Sequence, residues 1–152
     1  MKVLVYGAGV TGSLFSARLC EAGHDVALLA RGERLTALRE HGLRLAEGDG
    51  PAIRQVPVPV VERPAGRYDL IAVLVRAHQV DAVLESIAGL DGDVLFLLNW
   101  AAGPEPLGAA IGRERAKRGG GLLGEADGDP MQVRLAQDER RQRQRILAAL
   151  QS

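Results

Sequence analysis

Cysteine is almost absent from this sequence, with Cys20 the single one in 152 residues. No internal disulfide can form, which fits a reducing compartment. Net charge is absent too, since 19 Lys and Arg balance 19 Asp and Glu. A chain without an excess of one sign exerts no strong pull on nucleic acid or an anionic membrane. Aromatic residues make up only 3%. None is interleaved with the basic cluster Arg113, Arg115, Lys117 and Arg118, and acids follow soon after. A solvated segment is expected there, not a base-stacking surface. No run approaches the roughly 20 apolar residues of a membrane helix. The apolar start, Val3 to Val5, meets glycine too soon to be the core of a signal peptide. The expectation is a cytoplasmic chain with no membrane or nucleic-acid partner. His24, His41 and His78 show no metal-ligand spacing, so no metal is expected. No Ser-His-Asp arrangement on a strand-to-helix elbow is visible, and Cys20 reads as packing.

What is present is a normal globular balance, 47% hydrophobic and 25% charged, on a chain long enough for one real core. Val3 to Tyr6 is a short apolar run ended by glycine, which reads as a strand buried on both faces. A helix is predicted over Val10–Ala22, with Gly12, Phe15, Ser16 and Leu19 on one face and Gly23 as its stop. Val26–Ala30 is a second strand. Glu33–Glu40 is a short helix with Leu35 and Leu38 inward, and Leu43–Ala46 is a candidate strand. Ile53–Val61 is β-rich but carries Pro57 and Pro59, so it reads as an edge strand or an extended loop. Leu70–Val75 is another buried strand. Val80, Val83, Leu84 and Ile87 mark the clearest helix, and Val94–Leu98 a further strand. This alternation predicts an α/β fold: a Rossmann-type, doubly wound, mainly parallel sheet with right-handed crossovers. Residues 1–112 form the expected domain. Residues 113–130 read as a glycine-rich linker or irregular segment, and residues 131–152 as a C-terminal helix.

Gly7-Ala8-Gly9-Val10-Thr11-Gly12 fits G-x-G-x-x-G between a predicted strand and a predicted helix, the context that gives the pattern meaning. Gly7 permits the tight turn. Gly9 lets the backbone approach a pyrophosphate, and Gly12 allows close helix packing. Helix-start amides and the helix dipole hold the anion. The alternative is a glycine-rich turn that binds nothing. An NAD-selective site usually carries an acid at the end of the second strand, to bind the ribose 2′-hydroxyl. Here Ala30 is followed by Arg31, whose planar fork suits a 2′-phosphate, with Arg34 near enough to help. The reading is NADP; the alternative is a surface arginine without a ligand.

In order along the chain, the glycine turn, "AGHDV" at Ala22–Val26, Arg31, "VRAHQV" at Val75–Val80, and Asn99 after "VLFLL" resemble the ketopantoate reductase (2-dehydropantoate 2-reductase) family. The resemblance spans Met1 to about Gly112. It implies an N-terminal half that binds NADPH and a separate helical half that completes the site. There, hydride passes to the ketone of a small 2-keto acid. Gly7, Gly9, Gly12 and Arg31 carry over as cofactor contacts, with Ala8, Val10 and Thr11 in the same turn. Asn99 carries over as a residue near the nicotinamide that also touches substrate. Two positions depart from the family. Arg76 stands where lysine is usual; it keeps the charge but does not readily release a proton. Trp100 follows Asn99 where glycine is usual, and either narrows the nicotinamide pocket or simply packs. The family's helical catalytic domain is not recognisable in this sequence, so no catalytic residue is assigned. "LLGEADG" at Leu122–Gly128 resembles a late strand and loop of the family's first domain, set unusually close to Asn99. His78 lies where α/β sites collect, a weak candidate base. A non-catalytic dinucleotide-binding or interaction module of the same fold is the alternative, and a different NADP-linked dehydrogenase a third. A second copy of the chain, forming a homodimer, is a candidate to cover the sheet edge.

Overall fold

A computed structural model describes residues 1–46, 53–98, 105–112 and 114–118. Its elements are β1 (Lys2–Tyr6), α1 (Val10–Glu21), β2 (Asp25–Leu29), α2 (Gly32–His41), β3 (Leu43–Ala46) and β4 (Ile53–Val56). There follow β5 (Val60–Val61), β6 (Leu70–Val73), a 3₁₀ turn (Ala77–Gln79), α3 (Val80–Ile87), β7 (Asp93–Phe96), α4 (Glu105–Ile111) and β8 (Ala116–Arg118). Among the described residues the main sheet has six strands in the order β5-β2-β1-β6-β7-β8. Every neighbouring pair is parallel. The doubly wound α/β sheet expected from the sequence is the fold observed.

Strand β1 is central because its side chains are apolar on both faces: Val3, Leu4, Val5 and Tyr6 are all buried. Its alternation divides the core. Val3 and Val5 join Leu28, Ala72, Phe15 and Leu19 on the α1 side. Leu4 and Tyr6 join Ile71, Val73, Val83 and Ile87 on the α3 side. Helix α1 ends where Gly23 takes φ +82, and the Gly23 and His24 amides bond back to Cys20 and Leu19. Leu35 and Leu38 are the buried residues of α2, which stops at Gly42 with φ +69.

The proline segment resolves into two parts. Ile53–Val56 pairs antiparallel with β3, so β3 and β4 form a separate hairpin. Val60–Val61 is the edge strand of the main sheet. Pro59 sits beside it without penalty: its carbonyl accepts from Leu28 N–H at 2.8 Å, and an edge position needs no donor on the far side.

At the other edge, β8 extends the sheet past Gly112, in a stretch that reads from sequence as linker. The Arg115 carbonyl accepts from Val94 N–H at 2.8 Å. Its guanidinium donates to the carbonyls of Gly92 at 3.0 Å, Ala88 and Ile111 at 3.4 Å, and Leu90. One side chain thereby satisfies carbonyls left open at the ends of both α3 and α4, where a cation also suits the helix dipole. The helix expected over 131–152, and Leu122–Gly128, lie outside the described residues.

Candidate cofactor-binding site

The chain leaves β1 toward β2 and leaves β6 toward β7, in opposite directions along the sheet. Between the C-terminal ends of β1 and β6 this reversal opens the crevice where α/β proteins bind ligands. The glycine turn lies there, and its three glycines meet different constraints. Gly7 has φ +117, and a Cβ on it would run into the Leu74 carbonyl oxygen, with Val75 Cγ1 at 3.1 Å. A Cβ on Gly12 would overlap the Gly7 carbonyl oxygen, with Val5 Cγ1 at 3.6 Å. The sequence assigns Gly12 to helix–sheet packing; the tighter neighbour is the turn itself. A Cβ on Gly9 would meet nothing within 4 Å, and its φ of −72° is open to any residue. Gly7 and Gly12 therefore shape the turn, while Gly9 leaves its outer side clear.

That clear side faces the start of α1. Gly9 is the N-cap, no side chain caps the helix, and its first turn carries no acid. Ser13 N–H bonds to Gly9 O at 2.9 Å, closing the first helical turn. Gly9, Val10 and Thr11 are exposed. Helix-start amides that no side chain caps, backed by the positive end of a dipole, suit an anion. The helix start beside Gly9 is open among the described residues, and the residues present fit a dinucleotide.

Arg31 is the N-cap of α2. Its guanidinium lies over the Tyr6 ring, 5.5 Å from the centroid, and donates to Tyr6 Oη. Tyr6 Oη in turn shares a hydrogen bond with Ser86 Oγ of α3 at 3.1 Å. Tyr6, buried at the end of β1, thus holds Arg31 toward the centre of the sheet's C-terminal edge. Sequence reading took Tyr6 as strand only; an aromatic with a hydroxyl ending the first strand was the available signal. Arg34 faces the glycine turn. Its Nε donates to Ala8 O at 2.9 Å and a terminal nitrogen to Ser13 Oγ at 3.1 Å.

Arg76 is exposed just beyond β6 and caps the 3₁₀ turn: its N–H donates to Gln79 Oε1 at 3.1 Å, and Gln79 N–H returns to Arg76 O at 2.9 Å. The Gln79 side chain is thus engaged in ordering the loop beside the crevice. His78 is exposed in the same loop. His24 precedes β2, at the opposite edge of the sheet. Burial first, and the N-terminal ammonium second, push its imidazole below the ordinary range. Neither the glycine turn nor Arg31 is near that edge. Asn99 and Trp100 lie outside the described residues. Among the described residues no cluster could hold a metal, and no helix is long and apolar enough to cross a membrane.

Residues 3–143 match the family model for ketopantoate reductase PanE/ApbA. A 2-dehydropantoate 2-reductase of Mesorhizobium japonicum is 34% identical over 94 residues, covering 61% of this chain and 29% of the relative. Two solved structures share the fold. D-mandelate dehydrogenase, in a ternary structure with NADH and anilino(oxo)acetate, is 30% identical with a TM-score of 0.68, covering 78% of this chain and 40% of that one. 2-Dehydropantoate 2-reductase from Geobacter metallireducens is 27% identical with a TM-score of 0.70, covering 86% and 44%. The chain therefore spans less than half the length of these relatives, and what it matches in them is a dinucleotide-binding, Rossmann-type domain. By the match over residues 3–143, the chain belongs to the ketopantoate reductase family.

Proposed function

We propose that this chain is the NADPH-binding part of an oxidoreductase that reduces a small 2-keto acid. The observation that carries the proposal is the open space over Gly9 beside the uncapped start of α1, with Arg31 one strand away. Gly7, Gly9 and Gly12 with Ala8, Val10 and Thr11 would hold the diphosphate through main-chain amides. Arg31 would hold the 2′-phosphate. A guanidinium has five donors, and Tyr6 uses one. A cation at the N-cap of α2 also sits at the wrong end of the helix dipole, a conflict that a bound dianion resolves. The neighbour solved with NADH supports a nicotinamide dinucleotide, and the choice of NADPH rests on Arg31. Arg76 would contribute positive charge at the crevice, and Asn99 would contact the nicotinamide and substrate.

Bound NADPH supplies the hydride. This chain's residues grip its phosphates and fix its orientation. The family resemblance places the groups that move protons in a helical half, and no residue described here takes that role. The competing reading is a non-catalytic dinucleotide-binding module of the same fold. Mixing the chain with NADPH and a panel of 2-keto acids, and following loss of the reduced nicotinamide absorbance, separates the two. The chain by itself is expected to bind NADPH and to oxidise it slowly at most when a 2-keto acid is added. Supplying the helical half of a relative is expected to raise turnover. Failure of any 2-keto acid to consume bound NADPH in the completed assembly contradicts the enzyme reading and favours the module.

A further inference from the structure

We propose that Arg34 is the positioning residue of the glycine turn, clipping Ala8 and Ser13 from α2 so that the Gly9 amide is aimed at the diphosphate. This rests on the cofactor reading above and adds a residue to it. Arg34 Nε donates to Ala8 O at 2.9 Å, and its terminal nitrogen donates to Ser13 Oγ at 3.1 Å. Ser13 Oγ itself donates to Ala8 O at 3.4 Å. The three groups close a ring that ties α2, the turn and α1 together. The two acceptor residues are sheltered, Ser13 at 3% and Ala8 at 9% exposure, so water competes poorly for them.

The consequence for the ligand follows from peptide geometry. A trans peptide is planar, and its C=O and N–H point in opposite directions. No cis peptide occurs among the described residues. Holding the Ala8 carbonyl toward α2 therefore fixes the Gly9 N–H the other way, away from α2, at a residue that is itself exposed. Without the clip, the Ala8–Gly9 peptide gains freedom to rotate, and the amide must be re-ordered on binding, which costs affinity. The clip uses two of the five guanidinium donors of Arg34, and the reading of the 2′-phosphate is assigned to Arg31. The diphosphate is common to NADPH and NADH, so the clip affects both equally.

The test uses the full chain with Arg34→Met, Arg34→Lys and Ser13→Ala, each titrated calorimetrically with NADPH and with NADH, with a thermal melt of each variant. Arg34→Met is expected to weaken both cofactors about tenfold, roughly 1.4 kcal/mol, leaving their ratio unchanged within about twofold. Arg34→Lys is expected to recover part of the loss, since an ammonium can still reach one acceptor. Ser13→Ala is expected to weaken both by about threefold, roughly half that free energy. A folded Arg34→Met chain that binds both cofactors as the unaltered chain does overturns the clip, as does a loss confined to NADPH, which would make Arg34 a reader of the 2′-phosphate. If Arg34→Met fails to fold, Arg34→Lys and Ser13→Ala decide by the same criteria. An unaltered chain that binds neither cofactor defeats the cofactor reading and the clip together; an unaltered chain that binds, beside variants that bind equally well, defeats the clip alone.

Discussion

Gly9→Ala is expected to keep the fold and lower dinucleotide affinity about 10- to 100-fold, while Gly12→Ala loses stability and binding together. The contrast comes from what each new methyl group meets. At Gly9 nothing lies within 4 Å and φ is −72°. An N-cap alanine is poorer than glycine, so a loss within about 1 kcal/mol is expected. The methyl does, however, occupy the space over the helix start and holds the anion off its amides. Losing one charge-assisted hydrogen bond, about 1.5–3 kcal/mol, gives the stated range. At Gly12 the methyl overlaps the Gly7 carbonyl oxygen, a backbone atom that cannot swing aside. Gly7 is itself pinned against Leu74. The turn must open, at about 3 kcal/mol, which corresponds to a fall of roughly 10 °C in Tm for a chain of this size. Thermal melts and NADPH titrations of both variants check the pair. Equal melting losses in the two, or full affinity in Gly9→Ala, contradict the assignment of roles.

Arg31→Asp is expected to weaken NADPH about 100-fold and to leave NADH within a few-fold of its original affinity. A bidentate guanidinium–phosphate contact contributes roughly 2–3 kcal/mol when shielded from solvent. An aspartate there adds repulsion toward the 2′-phosphate and offers an acceptor for a 2′-hydroxyl. Tyr6 strengthens the effect, because a side chain already stacked and bonded loses little further freedom when the ligand arrives. Competition titrations with the two reduced cofactors measure the ratio directly. Unchanged affinities for both in Arg31→Asp would remove Arg31 from the site.

The contrast between Gly12 and Arg34 shows what the sequence carries. The first strand, the glycine turn and α1 are readable because three glycines follow a strand buried on both faces. The helix α3 is readable from its spacing, with Val80, Val83 and Ile87 all buried as that spacing requires. Strand β5 is hard to place because two residues beside two prolines carry no period, and its parallel pairing with Leu28 and Leu29 of β2 defines it. Strand β8 is Ala116-Lys117-Arg118, an edge segment with no apolar alternation, so nothing local distinguishes it from linker. At the site, Gly7, Gly9, Gly12 and Arg31 announce themselves by type and position. The clip by Arg34 and the hold of Tyr6 on Arg31 do not. They join residues 21 to 26 positions apart through helices whose packing must be known first.

Calorimetric titration of the unaltered chain with NADPH and NADH in parallel is the most direct measurement of the central claim. Saturable binding of both, with NADPH the tighter, is the expected result, since one turn grips the shared diphosphate and one arginine favours the extra phosphate. Absence of heat for both cofactors, with the chain folded, would contradict it.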